Sequence, residues 1–218
     1  MQTILQLYLS NKRLNNLLFL FSFFCLSLSL IRVKLTTSIY LMFLVWNLFL
    51  AVIPFLITSY LKTRNLFENK FINGLILSIW LLFLPNSFYI ITDFVHLSLS
   101  NSYTFWYDLL LISSYASLGF LLGIISLQDF ENLLSDKLNA SICSFLVFGI
   151  SILSGFGIYL GRILRYNSWD ILKNPIELFT DLWNIFFTTK SLGFSILYGC
   201  FIYFIFRISK YFSITIKQ

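Results

Sequence analysis

The chain has 218 residues, of which 58% are hydrophobic and only 11% charged, with a mean hydropathy of +0.84. A water-soluble domain carries about 25% charged residues, so there is too little charge here to coat a water-facing surface, and the composition reads as a helix bundle packed in lipid. The formal net charge of +6 does not point to nucleic acid, because the 15 Lys and Arg residues stand in small clusters at the ends of apolar runs and form no basic stripe.

A spanning helix needs about 20 mostly apolar residues. In chain order the charge-free runs are Leu14–Ile31, Leu35–Leu61, Phe71–Thr92, Leu109–Leu127, Leu138–Gly161 and Ser191–Phe206. They predict an all-α, polytopic transmembrane bundle of about six spans, filling residues 1–218 as a single integral membrane domain. The first run follows Lys12 and Arg13 but is long and ends in Ser-Leu-Ile-Arg-Val-Lys without an A-x-A-like site, so an uncleaved first span is expected. The last run is short and extends upstream if Lys190 snorkels. Before it, Pro175–Thr189 mixes Glu177 and Asp181 with Phe, Leu and Trp, which predicts an interfacial or re-entrant helix.

With the N-terminus inside, the inner side holds Lys12, Arg13, Lys62, Arg64, Lys70, Lys137, Arg207, Lys210 and Lys217, and the outer side Arg32, Lys34, Arg162, Arg165, Lys173 and Lys190. That excess favours an N-in, C-in topology. The 20% aromatic content rests on 26 Phe, while Ala stands only at positions 51, 116 and 140; a codon bias toward A and T accounts for this without an aromatic binding cage. Cys25, Cys143 and Cys200 lie far apart in apolar runs with no CxxC and no adjacent His, so neither a disulfide framework nor a zinc site follows.

Span parity places the segments after the third and fifth spans on the same membrane face, and the polar residues gather there. Asn86, Tyr89 and Asp93 stand at i, i+3 and i+7, one stripe if the segment is α-helical, with His96 near its top. Asn86 lies roughly 9 Å inside the span's outer end, and Pro85 frees the carbonyl of Leu81. Asn47, near the middle of the second span, is one possible partner for Asn86; interhelical hydrogen bonding accounts for both better than a functional role does. Asp93, His96 and Asp108 are the candidate catalytic residues, since a carboxylate and an imidazole form a general acid/base pair. A metal would need a third ligand from Asp108 or Asp170, and His96 is the sole histidine, so no metal site is assigned. Solvated residues at a helix end are the plain alternative.

Arg162 and Arg165 share a helix face, with Trp169 a turn beyond. They suit an anionic phosphate or carboxylate, with Asn167, Trp169 and Asp170 as neighbours in the candidate anion-binding set. Anchoring in an interfacial belt explains them equally, and pairing with Asp93 or Asp108 across the bundle is a third reading that combines the two. Gly119 and Gly123, and Gly157 and Gly161, form G-x-x-x-G pairs that are expected to bring the fourth and fifth spans together. No P-loop, nucleophile elbow, H-E-x-x-H or dinucleotide fingerprint occurs, so no cofactor is named.

Trp46-Asn47-Leu48-Phe49-Leu50-Ala51-x-Ile53-Pro54 and Leu84-Pro85-Asn86-x3-Ile90-x-Thr92-Asp93-x2-His96-Leu97 resemble the family named domain of unknown function 1361. Trp106-Tyr107-Asp108, Gly155 to Arg162, and Asn167-Ser168-Trp169-Asp170 carry the same resemblance, which extends from about Tyr40 to Pro175. It implies a multi-pass protein of a bacterial cytoplasmic membrane and no mechanism. The leading functional expectation is a polar pocket at the extracytoplasmic ends of the third to fifth spans, binding or processing an anionic lipid headgroup or lipid-linked phosphate. A small transporter or channel component is the alternative, weakened by the absence of an ionisable residue at mid-span; a non-catalytic assembly subunit is another.

Overall fold

The computed structural model describes residues 12–63, 70–100, 102–136, 138–166, 185 and 188–215; the interfacial helix expected over Pro175–Thr189 lies almost wholly outside them. Among the described residues six α-helices follow in order: α1 (Lys12–Thr36), α2 (Phe43–Lys62), α3 (Lys70–Tyr89), α4 (Phe105–Ser135), α5 (Ala140–Arg162) and α6 (Thr189–Thr215). A 3-10 turn, Tyr40–Met42, leads into α2, and α3 continues as a ten-residue 3-10 segment, Ile90–Leu99. No strand occurs among the described residues. All six spans are long and apolar enough to cross a membrane. Hydrocarbon offers no water to exposed peptide groups, so a chain this apolar satisfies its N–H and C=O groups inside helices.

The helix limits depart from the apolar runs at several ends, the last helix running past Phe206 to Thr215 and α4 starting at Phe105, and three departures show why. Leu35 belongs to α1 and does not open the second span: the helix continues through Arg32 and Lys34 to Thr36, and Thr37 breaks it with φ at 52°. Cations in a last helical turn are favoured by the helix dipole, so charges that end an apolar run need not end a helix. α4 runs past Leu127 to Ser135, because Leu127, Phe130 and Leu134 keep helical spacing while Asp129 and Glu131 find cationic partners. The third run changes from α-helix to 3-10 helix at Ile90. Ile90, Ile91, Thr92 and Val95 are β-branched and poor α-formers, and the Thr92 and Ser98 hydroxyls each donate to the carbonyl three residues back.

α4 is the hub. It touches every other helix and the 3-10 segment, and 61% of its most apolar stretch is buried, against 17–39% for the others. The core divides around it: Leu44, Leu48, Ala51, Ile90, Leu111 and Tyr115 pack on one side, and Trp80, Leu84, Phe88, Leu127, Ile158 and Ile202 on the other.

The two small-residue pairs do not meet each other. A Cβ on Gly119 would stand 2.8 Å from Ile90 Cδ1 and 2.9 Å from the Ser87 carbonyl oxygen, and one on Gly123 2.6 Å from Phe88. On the opposite flank, a Cβ on Gly157 would lie 2.5 Å from Pro85 Cγ, and one on Gly161 3.2 Å from Tyr89. Both pairs therefore receive α3, wedged between α4 and α5, and the expected α4–α5 contact through them is replaced by a three-helix sandwich. α5 meets α6 instead through Gly155 and Gly199, whose Cβ atoms would strike the Ser195 carbonyl at 2.4 Å and Ile152 Cα at 2.6 Å. Ser87 Oγ donates to the Ala51 carbonyl at 2.8 Å, tying α3 to α2 three residues before Pro54.

Candidate functional site

The antiparallel order brings the end of α3, the start of α2 and the end of α5 to one end of the bundle. In a 3-10 helix residues three apart eclipse, so Ile90, Asp93 and His96 share one face of the segment that continues α3. The α-helical stripe expected from Asn86 through Asp93 therefore breaks at Ile90. Asn86 stays on α3 and its amide donates to the Phe83 carbonyl at 3.1 Å. Asn47 is paired differently from the Asn86 expectation: its Nδ2 donates to Asp93 Oδ2 at 2.9 Å.

Asp93 is the centre of the cluster. Its side chain is 1% exposed, and Arg162 Nη2 donates to its other oxygen at 2.8 Å. A carboxylate this deeply buried is tolerated only with donors on its oxygens, and a guanidinium from α5 and an amide from α2 supply them. The same Arg162 Nη2 also donates to the Thr92 carbonyl, and Nη1 to Tyr89 Oη at 3.4 Å. The guanidinium carbon stands 5.1 Å from the centre of the Tyr89 ring, within cation–π range. Arg162 Nε is buried without a hydrogen-bond partner among the described residues.

His96 lies on the wetter side, its side chain 24% exposed. Nδ1 is 2.7 Å from Tyr40 Oη, and the Phe43 ring packs 4.8 Å from the imidazole. Nε2 stands 3.9 Å from Asp93 Oδ1, beyond hydrogen-bond range, so the carboxylate orients the field at His96 without capturing its proton. Tyr40 thus fixes the ring through one nitrogen and leaves the other facing the cluster.

The remaining site candidates lie elsewhere. Asp108, 1% exposed, joins α1: Arg32 Nε donates to Oδ1 at 2.5 Å and Nη2 to Oδ2 at 3.0 Å, with Ser100 Oγ donating at 2.6 Å. It pairs with neither Arg162 nor Arg165. Arg165 is exposed and in the left-handed region, φ 60°, where the chain reverses and the Tyr166 N–H donates to the Leu160 carbonyl at 3.1 Å. Asn167, Trp169 and Asp170 lie outside the described residues. Among the described residues no group of three His, Cys, Asp or Glu could hold a metal.

Sequence reasoning passed over Arg32, Tyr40, Asp129 and Glu131. Arg32 reads as a span terminator until α1 is seen against α4. Tyr40 is one aromatic among many. At the opposite end, Asp129 pairs with Lys62, and Glu131 accepts from Lys210 at 2.5 Å. A signal for those two existed, since the apolar spacing Leu127–Phe130–Leu134 carries the helix past both acids.

Five apolar spans around a central sixth, with the ion pairs among the described residues standing at the two ends, define a multi-pass integral membrane protein. Its environment is a lipid bilayer. The chain belongs to the family described as Protein of unknown function (DUF1361), whose model matches residues 46–205. No curated protein and no solved structure matches it.

Proposed function

We propose that the Asp93 cluster recognises an anionic lipid headgroup, or a lipid-linked phosphate, at the extracytoplasmic end of the bundle. Arg162 is the anchor of the anion and His96 the group that exchanges a proton with it; Asp93 positions the Arg162 guanidinium, and Tyr40 positions the His96 ring. The observation that carries this reading is the convergence of Asn47, Asp93, His96 and Arg162 on one cluster, with Arg162 Nε a buried donor that has no partner among the described residues. A buried donor without a partner is costly, and an oxyanion satisfies it. Charge-assisted contacts to Arg and a nearby imidazole suit a phosphoryl group.

The test is lipid retention by the full chain, measured by native mass spectrometry, together with complementation of a deletion phenotype. His96→Gln and Arg162→Gln, each inserted at wild-type level, should lose retained anionic lipid and fail to complement. Wild-type behaviour of both variants in both assays would sink the proposal. His96→Gln keeps the test informative where Arg162→Gln fails to fold, because His96 is partly exposed.

A second reading, a purely structural clamp, is favoured by one observation: both oxygens of Asp93 are already engaged. Under that reading Asp93→Asn lowers the unfolding temperature while His96→Gln changes nothing.

A further inference from the structure

α5 and α6 pack tightly at Gly155 and Gly199, and an open, groove-like cavity of about 560 Å³ lies between the first turns of α5 and the Tyr203–Arg207 stretch of α6. This is the end of the bundle opposite the Asp93 cluster, and the two places share no residue. Its walls divide by chemistry. Ser141 and Ser144 supply hydroxyls, and Tyr203 Oη lies 2.7 Å from Ser144 Oγ, bracing α6 against α5. Phe145 and Phe148 supply an apolar wall, Phe148 meeting the Tyr203 ring edge-on at 5.2 Å. Phe145 is 74% exposed on the bundle's outer surface, open to an acyl chain.

The cavity also holds a cation. Arg207 lines it, is exposed, and forms no ion pair among the described residues, whereas Lys62 and Lys210 at the same end are committed to Asp129 and Glu131. A guanidinium left open beside hydroxyls, at the level where a span meets the interface, is suited to a lipid phosphate, which it can bind bidentately. The volume falls in the range of small-ligand pockets, and the aromatic wall accepts the first part of an acyl chain. A lone snorkelling arginine would require neither the cavity nor the Tyr203–Ser144 brace.

We propose that the cavity lined by Ser141, Ser144, Phe145, Tyr203 and Arg207 is a binding site for an anionic phospholipid, its phosphate on Arg207 and its chain along Phe145. The site is independent of the Asp93 cluster, so either can fail alone.

The experiment is native mass spectrometry of the full chain released from nanodiscs of mixed phosphatidylglycerol and phosphatidylcholine. The wild-type chain should retain phosphatidylglycerol preferentially, and Arg207→Gln should weaken that retention about tenfold, the scale of one charge-assisted contact. Arg207→Lys should restore only part of it, because an ammonium cannot fork across two phosphate oxygens, and Phe145→Ala should weaken both lipids. The Arg207-dependent share should persist in a His96→Gln background, separating it from any lipid held at the other end. Equal retention by wild type and Arg207→Gln overturns the site. So does full rescue by Arg207→Lys with no effect of Tyr203→Phe, which would mark a plain anchor. Displacement of the lipid by inorganic phosphate at comparable affinity overturns the lipid as its occupant.

Discussion

Asp93 and Arg162 illustrate what burial does to a single pair of charges. With a side chain 1% exposed, Asp93 cannot turn to water when its partner is lost. Removing one member of a buried pair costs about 3–5 kcal/mol, whereas replacing both with apolar residues is often neutral. Arg162→Leu alone should therefore lower the unfolding free energy in detergent by that order, and the double variant Asp93→Leu/Arg162→Leu should recover most of it. A double variant no more stable than Arg162→Leu would show that the two charges are not energetically coupled. The Arg32–Asp108 pair makes a different prediction. α1 is the least buried span, held by this pair, by the Ser29–Tyr115 hydrogen bond at 2.8 Å and by Tyr107 Oη donating to the Leu28 carbonyl at 2.7 Å. Asp108→Asn should loosen α1 first, seen as several-fold faster proteolysis around Thr37 with little change in the unfolding temperature of the remaining bundle. Unchanged cleavage would show that the apolar contacts alone retain α1.

At the level of elements, α3 is gripped on two flanks by surfaces without side chains. A methyl on Gly157 would overlap Pro85 and one on Gly123 would overlap Phe88, while Gly149 has nothing within 4 Å. Gly157→Ala and Gly123→Ala should each cost about 1–3 kcal/mol by overpacking, and Gly149→Ala should be neutral or stabilising by about 0.5–1 kcal/mol through helix propensity. Denaturant titration of the three variants decides it, and equal effects at all three positions would contradict the sandwich. The grip also bears on the site, because moving α3 displaces the 3-10 segment that carries Asp93 and His96. The G-x-x-x-G spacing was visible in the sequence, but its partner was not. Small residues announce a close approach without saying which helix makes it, and here both pairs chose α3. The 3-10 period was equally hidden, since an i, i+3 pair of Asp93 and His96 fits either helix.

For the molecule as a whole, parity is the strongest constraint. Six spans put the segments after α3 and after α5 on one face, and the Arg162–Asp93 contact joins the ends of those two helices. Reporter fusions after Ser100 and after Lys173 should therefore report one side and a fusion after Lys62 the other; opposite sides for the first two would dismantle the cluster. The number of spans, their helical nature and the collection of polar residues at the bundle ends could all be read from composition and apolar run length, because a bilayer punishes every unsatisfied peptide group and unpaired charge in the same way wherever it occurs. Which charge meets which could not. Asp108 was equally suited to Arg162, and Asn47 to Asn86, on spacing alone; the actual partners, Arg32 and Asp93, follow from α4 standing at the centre with α1 on one flank and α3 between α4 and α5. Span count and composition are local properties of the chain, summed one segment at a time. Pairing depends on the lateral order of helices, and that order was decided by tertiary packing: the fit of glycine faces to Pro85, Phe88 and Ile90, contacts between residues far apart in sequence.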